Sequence, residues 1–128
     1  MASSAGLHEP ADAMSPAVID RHRAIVSLGE ELEAIDWYDQ RVAATDDGSL
    51  ADVLAHNRDE EKEHAAMTLE WLRRHDSILD QHLRTYLFTQ APITEVEHIA
   101  EQADSSSPGA PGGSADGSLG IGSLKGRS

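Results

Sequence analysis

Cysteine is absent from the 128-residue sequence, which excludes disulfides, zinc–thiolate sites and iron–sulfur clusters and leaves the redox compartment undetermined. Basic residues are scarce: the formal charge of −13 argues against binding to nucleic acid or to an anionic membrane surface. No apolar run approaches the roughly 18 residues of a membrane span, and no signal-peptide pattern opens the chain. We therefore expect a soluble, cytoplasmic protein.

Hydrophobic residues recur at steps of three and four along two long stretches. This period predicts one helix over about residues 16–43 and a second over about residues 50–74. Residues 45–48 between them have the composition of a turn, and Ser49 followed by Asp52 resembles a capping box that would start the second helix. A connection this short favours a long antiparallel hairpin.

Two shorter helices are predicted after the hairpin. The apolar pattern indicates a third helix over about residues 77–89, ended by Pro92. Thr94 with Glu97 would cap one more brief helix. The predicted fold class is therefore all-α.

The composition divides the chain into four segments. Residues 1–14 show no period and are expected to form a flexible arm, and residues 15–95 are the helical domain. Residues 96–117 become rich in Ser, Gly and Pro, which is typical of a flexible linker. Residues 118–128 bring back three aliphatic side chains after this polar gap, although a disordered terminus would account for the same composition.

The middle of the hairpin carries a candidate metal site. Glu61 and His64 are three residues apart on one helix, so both side chains leave on one face. Such pairs are common by chance, about 0.6 in a chain like this, and Glu95 with His98 is a second one. Glu31 lies about 16 residues before the turn and the first pair about 16 after it, so Glu31 is expected level with that pair. For Glu95 and His98 the sequence predicts no further glutamate at the same level.

A single hairpin supplies only half of the ligands of a di-iron site, which needs two lone Glu residues and two Glu-x-x-His pairs. A two-fold dimer of hairpins would double the set and form a four-helix bundle. The four negative charges of the carboxylates would then balance the four positive charges of two divalent ions. Oxygen ligands with one imidazole per metal suit iron or manganese better than copper or structural zinc.

Spacing alone leaves other interpretations open. Glu61 and His64 could be an ordinary surface pair, with Glu31 pairing Lys62 or an arginine. Tyr38 could hydrogen-bond near the site or supply an electron, but it could equally be an interface aromatic.

Several stretches resemble the encapsulated ferritins over about residues 15–95. They are Arg21–Ser27, Glu30–Tyr38, Leu54–Ala65 and Arg84–Thr89. The C-terminal Ser118–Leu124 resembles the peptide that docks cargo inside an encapsulin shell. This resemblance implies a ferritin-like four-helix bundle, and dimers that assemble into a ring, usually a decamer. It also implies a shell contact through residues 118–125, inside an encapsulin nanocompartment.

The resemblance further implies a ferroxidase that oxidises Fe(II) to Fe(III) with dioxygen at a di-iron site, two Fe per dimer, for mineral storage in the shell. Glu31, Glu61 and His64 of each subunit would be the iron ligands. The rival functions are a non-catalytic metal-binding scaffold and a related di-metal peroxidase or rubrerythrin. The absent cysteines count against a rubredoxin-type electron module.

Other residues take roles from the same resemblance. Tyr38 and Trp37 would lie beside the metals. Glu30 and Glu33 would form an entry site for iron, calcium or another divalent ion, whereas spacing alone favours solvated surface residues over such a site.

Overall fold

A computed structural model of the chain describes residues 6–105. Over this range the chain is helical, which confirms the predicted all-α class. The elements are a short 3-10 turn at Ala11–Ala13, α1 at Pro16–Ala44, α2 at Gly48–Arg74, α3 at Ser77–Tyr86 and α4 at Ile93–Ser105. The chain divides after Asp76 into two compact units, the first with α1 and α2 and the second with α3 and α4. Within residues 6–105 no helix is both long and apolar enough to cross a membrane.

Helices α1 and α2 of the first unit form the predicted antiparallel hairpin. The start of α2 differs from the prediction, because its N-cap is Asp47 and not Ser49. Asp47 Oδ1 accepts the backbone N–H of Ser49 at 3.0 Å and of Leu50 at 3.1 Å. A carboxylate at the cap accepts two free amides at once and favours an earlier start, so Ser49 already lies inside the helix.

The interior of the hairpin is small. Among residues 6–105 the buried hydrophobic side chains are Ala65 and Leu72, which are 8% and 4% exposed. A second apolar stripe stays open to solvent, with Ile25 58% and Leu32 54% exposed. Its other members are Val18 on α1 and Val53, Met67 and Trp71 on α2. One face of each long helix is therefore available for another partner.

Helix α3 of the second unit ends at Tyr86, three residues before the predicted end. The chain turns at Phe88, whose φ of 64° is left-handed and cannot continue a right-handed helix. Pro92 therefore does not terminate α3. Instead the Pro92 carbonyl accepts the N–H groups of Glu95 and Val96, at 2.9 and 3.0 Å, and begins α4.

Helix α4 is longer than the brief helix predicted, and it begins at Ile93 rather than at a Thr94 cap. It covers residues 96–105, which the composition assigned to the linker. Its apolar residues are spaced for a single helix face, which is the helical signal that the composition concealed. They are Val96, Ile99, Ala100 and Ala103. The rest of the predicted linker and the tail at 118–128 lie outside the described residues.

Candidate metal centre

Glu61 and His64 are brought together on α2. The Glu61 Oε1 and His64 Nδ1 atoms are 3.6 Å apart, close enough to share a cation but too far for a hydrogen bond. Both side chains are partly exposed, at 28% for Glu61 and 45% for His64. A carboxylate and an imidazole in this arrangement can contribute two ligands to one metal ion.

Glu31 lies half-buried on α1, and its two carboxylate oxygens differ. Oε2 is 3.4 Å from the Thr68 hydroxyl oxygen, which can donate to it. Oε1 is buried and has no hydrogen-bond partner. A buried carboxylate oxygen without a donor is costly, and a bound cation is one way to compensate it. The chemistry of Glu31 therefore fits a metal ligand.

Within one chain Glu31 does not join Glu61 and His64. No three His, Cys, Asp or Glu side chains of residues 6–105 come close enough together to hold a metal ion. Glu31 instead meets Thr68, one helical turn beyond His64. The reason is the direction of the side chains: each leans towards its own helix N-terminus, and in an antiparallel pair these directions are opposite.

A second contact between the helices follows the same geometry. Arg58 Nη1 of α2 donates to Asp39 Oδ1 of α1 at 3.0 Å. As with Thr68 and Glu31, the α2 partner is further from the turn than the α1 partner. Arg58 also donates to Asp59, and this hydrogen bond lowers the pKa of the Asp59 carboxyl below its ordinary value. Lys62 pairs with Asp59 at 3.4 Å, so the described chain does not use it to neutralise Glu31.

The remaining predicted site residues lie on α1. Tyr38 is half-buried, two turns after Glu31, with the Arg41 guanidinium 5.5 Å from its ring centre. Glu30 and Glu33 are exposed, as solvated surface residues would be, and Trp37 on the same helix face is 49% exposed.

A family model described as EncFtn-like matches residues 6–90. This range includes both long helices, the unpartnered carboxylate of Glu31 and the Glu61–His64 pair. The chain belongs to the EncFtn-like family. The resemblance to encapsulated ferritins that the sequence motifs indicated is thereby confirmed.

Individual relatives agree with the EncFtn-like assignment. An encapsulated ferritin-like protein of Rhodospirillum rubrum is 62% identical over 128 residues, covering 97% of this chain and 91% of the relative. A ferritin-like protein of Thermotoga maritima is 56% identical over 90 residues, covering 70% of this chain and 79% of that one. A crystal structure of a Nitrosomonas europaea protein has a TM-score of 0.67 and 59% identity, and it covers 69% of this chain and 97% of its own.

Two residues of the EncFtn-like hairpin that sequence reasoning did not single out are Thr68 and Arg58. Each makes a side-chain contact from α2 to an acidic residue of α1. The available signal was a polar side chain on the inner stripe of α2, which also carries Ala65 and Leu72. Recognising them as contacts between the helices required the lean of the side chains as well as the helical period.

Proposed function

We propose that this chain is a ferroxidase that oxidises Fe(II) to Fe(III) with dioxygen, at a di-iron site formed between two copies. The observation that carries the proposal is the buried Glu31 Oε1, which has no donor in a chain of the EncFtn-like family. The Glu61–His64 pair supplies one further carboxylate and one imidazole. Since one copy does not bring the three residues together, the second copy completes the ligand set.

The charges support a pair of divalent ions. Two copies bring two Glu31 and two Glu61 carboxylates to the same region, and without cations this concentration of negative charge would destabilise the pair. Oxygen ligands with one imidazole per ion suit Fe(II).

The open apolar stripe supports association of two copies. Ile25 and Leu32 on α1 and Met67 on α2 leave large hydrophobic surfaces in the solvent of a single chain. Packing two hairpins along these faces would bury that surface and complete a four-helix bundle. Dimers of this kind would assemble further into a ring, with the decamer as the expected size.

In the proposed reaction Fe(II) is the substrate. Two Fe(II) ions give up two electrons, and dioxygen with two protons takes them up and leaves as hydrogen peroxide. Glu31, Glu61 and His64 hold the ions side by side and leave positions open for dioxygen. Tyr38 is half-buried two turns after Glu31 on the same face of α1, and we assign its hydroxyl a hydrogen bond near the ions. The exposed Glu30 and Glu33 would collect iron, or calcium in its place, at the entrance.

Storage of the ferric product is proposed to take place inside an encapsulin shell in the cytoplasm. The Rhodospirillum rubrum relative is named an encapsulated protein, and its similarity leaves only a few residues of this chain uncovered. The similarity therefore extends into the C-terminal segment. We place the shell contact at residues 118–125, tethered by the Ser- and Gly-rich stretch before them. Deleting residues 117–128 should abolish co-purification with the shell protein, and unchanged loading would contradict this contact.

The enzymatic proposal is tested by aerobic Fe(II) oxidation. Glu31→Ala, Glu61→Ala and His64→Ala should each reduce oxidation to the background rate of free Fe(II). Glu95→Ala and His98→Ala are matched controls, because they remove a pair of the same spacing on α4 and should oxidise Fe(II) like wild type.

Three outcomes separate the functions. Wild-type rates in the Glu31, Glu61 and His64 variants would contradict the ferroxidase. Fe(II) binding without oxidation would indicate a scaffold or metal buffer. Faster turnover with hydrogen peroxide than with dioxygen would indicate a peroxidase.

A further inference from the structure

The hydroxyl of Thr68 stands between two proposed metal ligands. Thr68 Oγ1 lies 3.1 Å from the backbone carbonyl of His64 and 3.4 Å from Oε2 of Glu31. His64 belongs to α2 and Glu31 to α1. A single side chain therefore contacts the main chain of one ligand and the carboxylate of the other.

The position of Thr68 would favour an aliphatic residue if only packing mattered. It is half-buried on the inner stripe of α2, between the buried Ala65 and Leu72. A Thr in a helix interior has a lower helix propensity than Leu or Ala, and a hydroxyl in an apolar seam needs a partner. The bond to the His64 carbonyl satisfies it within its own helix, but that bond alone adds nothing to the helix.

The contact with Glu31 gives the hydroxyl a further role. Since a hydroxyl carries one proton, Thr68 divides it between the two acceptors. At 3.4 Å the contact with Oε2 is longer than a full hydrogen bond, but it determines which oxygen of Glu31 faces Thr68 and leaves Oε1 unpartnered. Hydrogen bonds to a ligating carboxylate orient it, and their loss typically weakens metal binding.

We propose that Thr68 is a positioning residue for the metal site, holding the Glu31 carboxylate so that Oε1 is presented to the ion. This inference rests on the proposed function, because it takes Glu31 as a ligand. Its prediction is that the hydroxyl, and not the methyl group, of Thr68 determines metal affinity.

The test is a calorimetric titration of the full-length chain with Co(II), which probes divalent binding without oxidation by dioxygen. Thr68→Val removes the hydroxyl and keeps the shape, and it should bind Co(II) about 10- to 100-fold more weakly than wild type. Thr68→Ser keeps the hydroxyl and should bind close to wild type. Thr85→Val is the matched control, because Thr85 makes the same bond to a carbonyl four residues earlier, at 3.0 Å from Gln81 O, and should leave affinity unchanged.

The outcomes keep the two proposals apart. Suppose that Glu31→Ala abolishes Co(II) binding. Wild-type affinity in Thr68→Val, or a loss in Thr68→Ser as large as in Thr68→Val, would then overturn the role of the hydroxyl but not the metal site. A wild-type chain whose Co(II) binding does not depend on Glu31 would overturn the metal site, and the role of Thr68 with it. If Thr68→Val does not fold, Thr68→Ala replaces it: weaker binding than Thr68→Ser supports the proposal, and equal binding contradicts it.

Discussion

Replacing Glu31 with Gln should stabilise the metal-free chain. The wild-type carboxylate buries Oε1 without a donor and shares the Thr68 proton with the His64 carbonyl. The Gln amide would donate to Thr68 Oγ1, so that Thr68 gives its proton to His64 alone. The oxygen at the Oε1 position would stay without a donor but would no longer carry a negative charge. An unsatisfied buried group costs about 1–3 kcal/mol, and more when it is charged, so removing the charge lowers the cost. Since Glu31 is only half-buried, we expect a gain near the lower end of this range. A gain of about 1 kcal/mol corresponds to roughly 4–8 °C in a domain of this size.

Bound metal should make the wild-type chain more stable than the Glu31→Gln chain. A ligand at 100 times its dissociation constant stabilises the folded state by about 2.7 kcal/mol, which exceeds the gain from the amide. Gln is a weaker ligand without charge, so only the wild-type chain should receive this stabilisation. The measurement is thermal unfolding followed by circular dichroism at fixed protein concentration, once with a chelator and once with Co(II).

Glu63→Gln serves as the control for this experiment. Glu63 is exposed on α2, so the same chemical change there should alter neither the chelated nor the metal-loaded melting temperature. A Glu31→Gln chain that melts below wild type in chelator would refute the cost assigned to the buried charge. An equal rise of both chains with Co(II) would refute Glu31 as a ligand.

Three further predictions concern packing, association and charge. Leu72→Ala should lower the free energy of unfolding by about 2–5 kcal/mol in urea titrations, because it empties a side-chain position that is 4% exposed. Ile25→Glu should keep the helical signal but give monomers in sedimentation experiments, and a persistent dimer would exclude this face as the contact. Arg73 and Arg74 lower the pKa of Glu70 from 4.5 to about 2, so their stabilisation is present above pH 4.5 and is lost as the pH falls towards 2. Glu70→Gln should therefore reduce the fall in urea midpoint over that pH range, and an unchanged fall would contradict this role.

The long helices were predictable because apolar residues recur at helical steps along α1 and on both sides of the polar stretch at residues 56–64 of α2. Their ends were less so. The start of α2 depended on which of two neighbouring polar residues accepted the free amides, and Asp47 did so in place of Ser49. The end of α3 depended on the left-handed backbone of Phe88, a conformation that its residue type does not indicate. Helix α4 was underestimated because polar composition outweighed its short apolar period.

The candidate site was predictable where it depended on one helix and less so where it depended on two. The spacing of Glu61 and His64 places them side by side in any helix. The contact that Glu31 makes depends on the axial offset between the two helices and on the opposite directions in which their side chains point. Counting residues from the turn gives only the axial positions of the Cα atoms. The contact between Thr68 and Glu31 was therefore not predicted.

The scarcity of buried side chains in the hairpin changes what a surface mutation means for this molecule. With Ala65 and Leu72 as the enclosed apolar groups of the described chain, a pair of copies would find most of its interior in residues such as Leu32 and Met67. Substitutions there would act as core mutations of the assembly. Residues that two copies share should therefore tolerate mutation less well than other exposed residues. The amount of assembled protein should rise more steeply than the amount of chain produced.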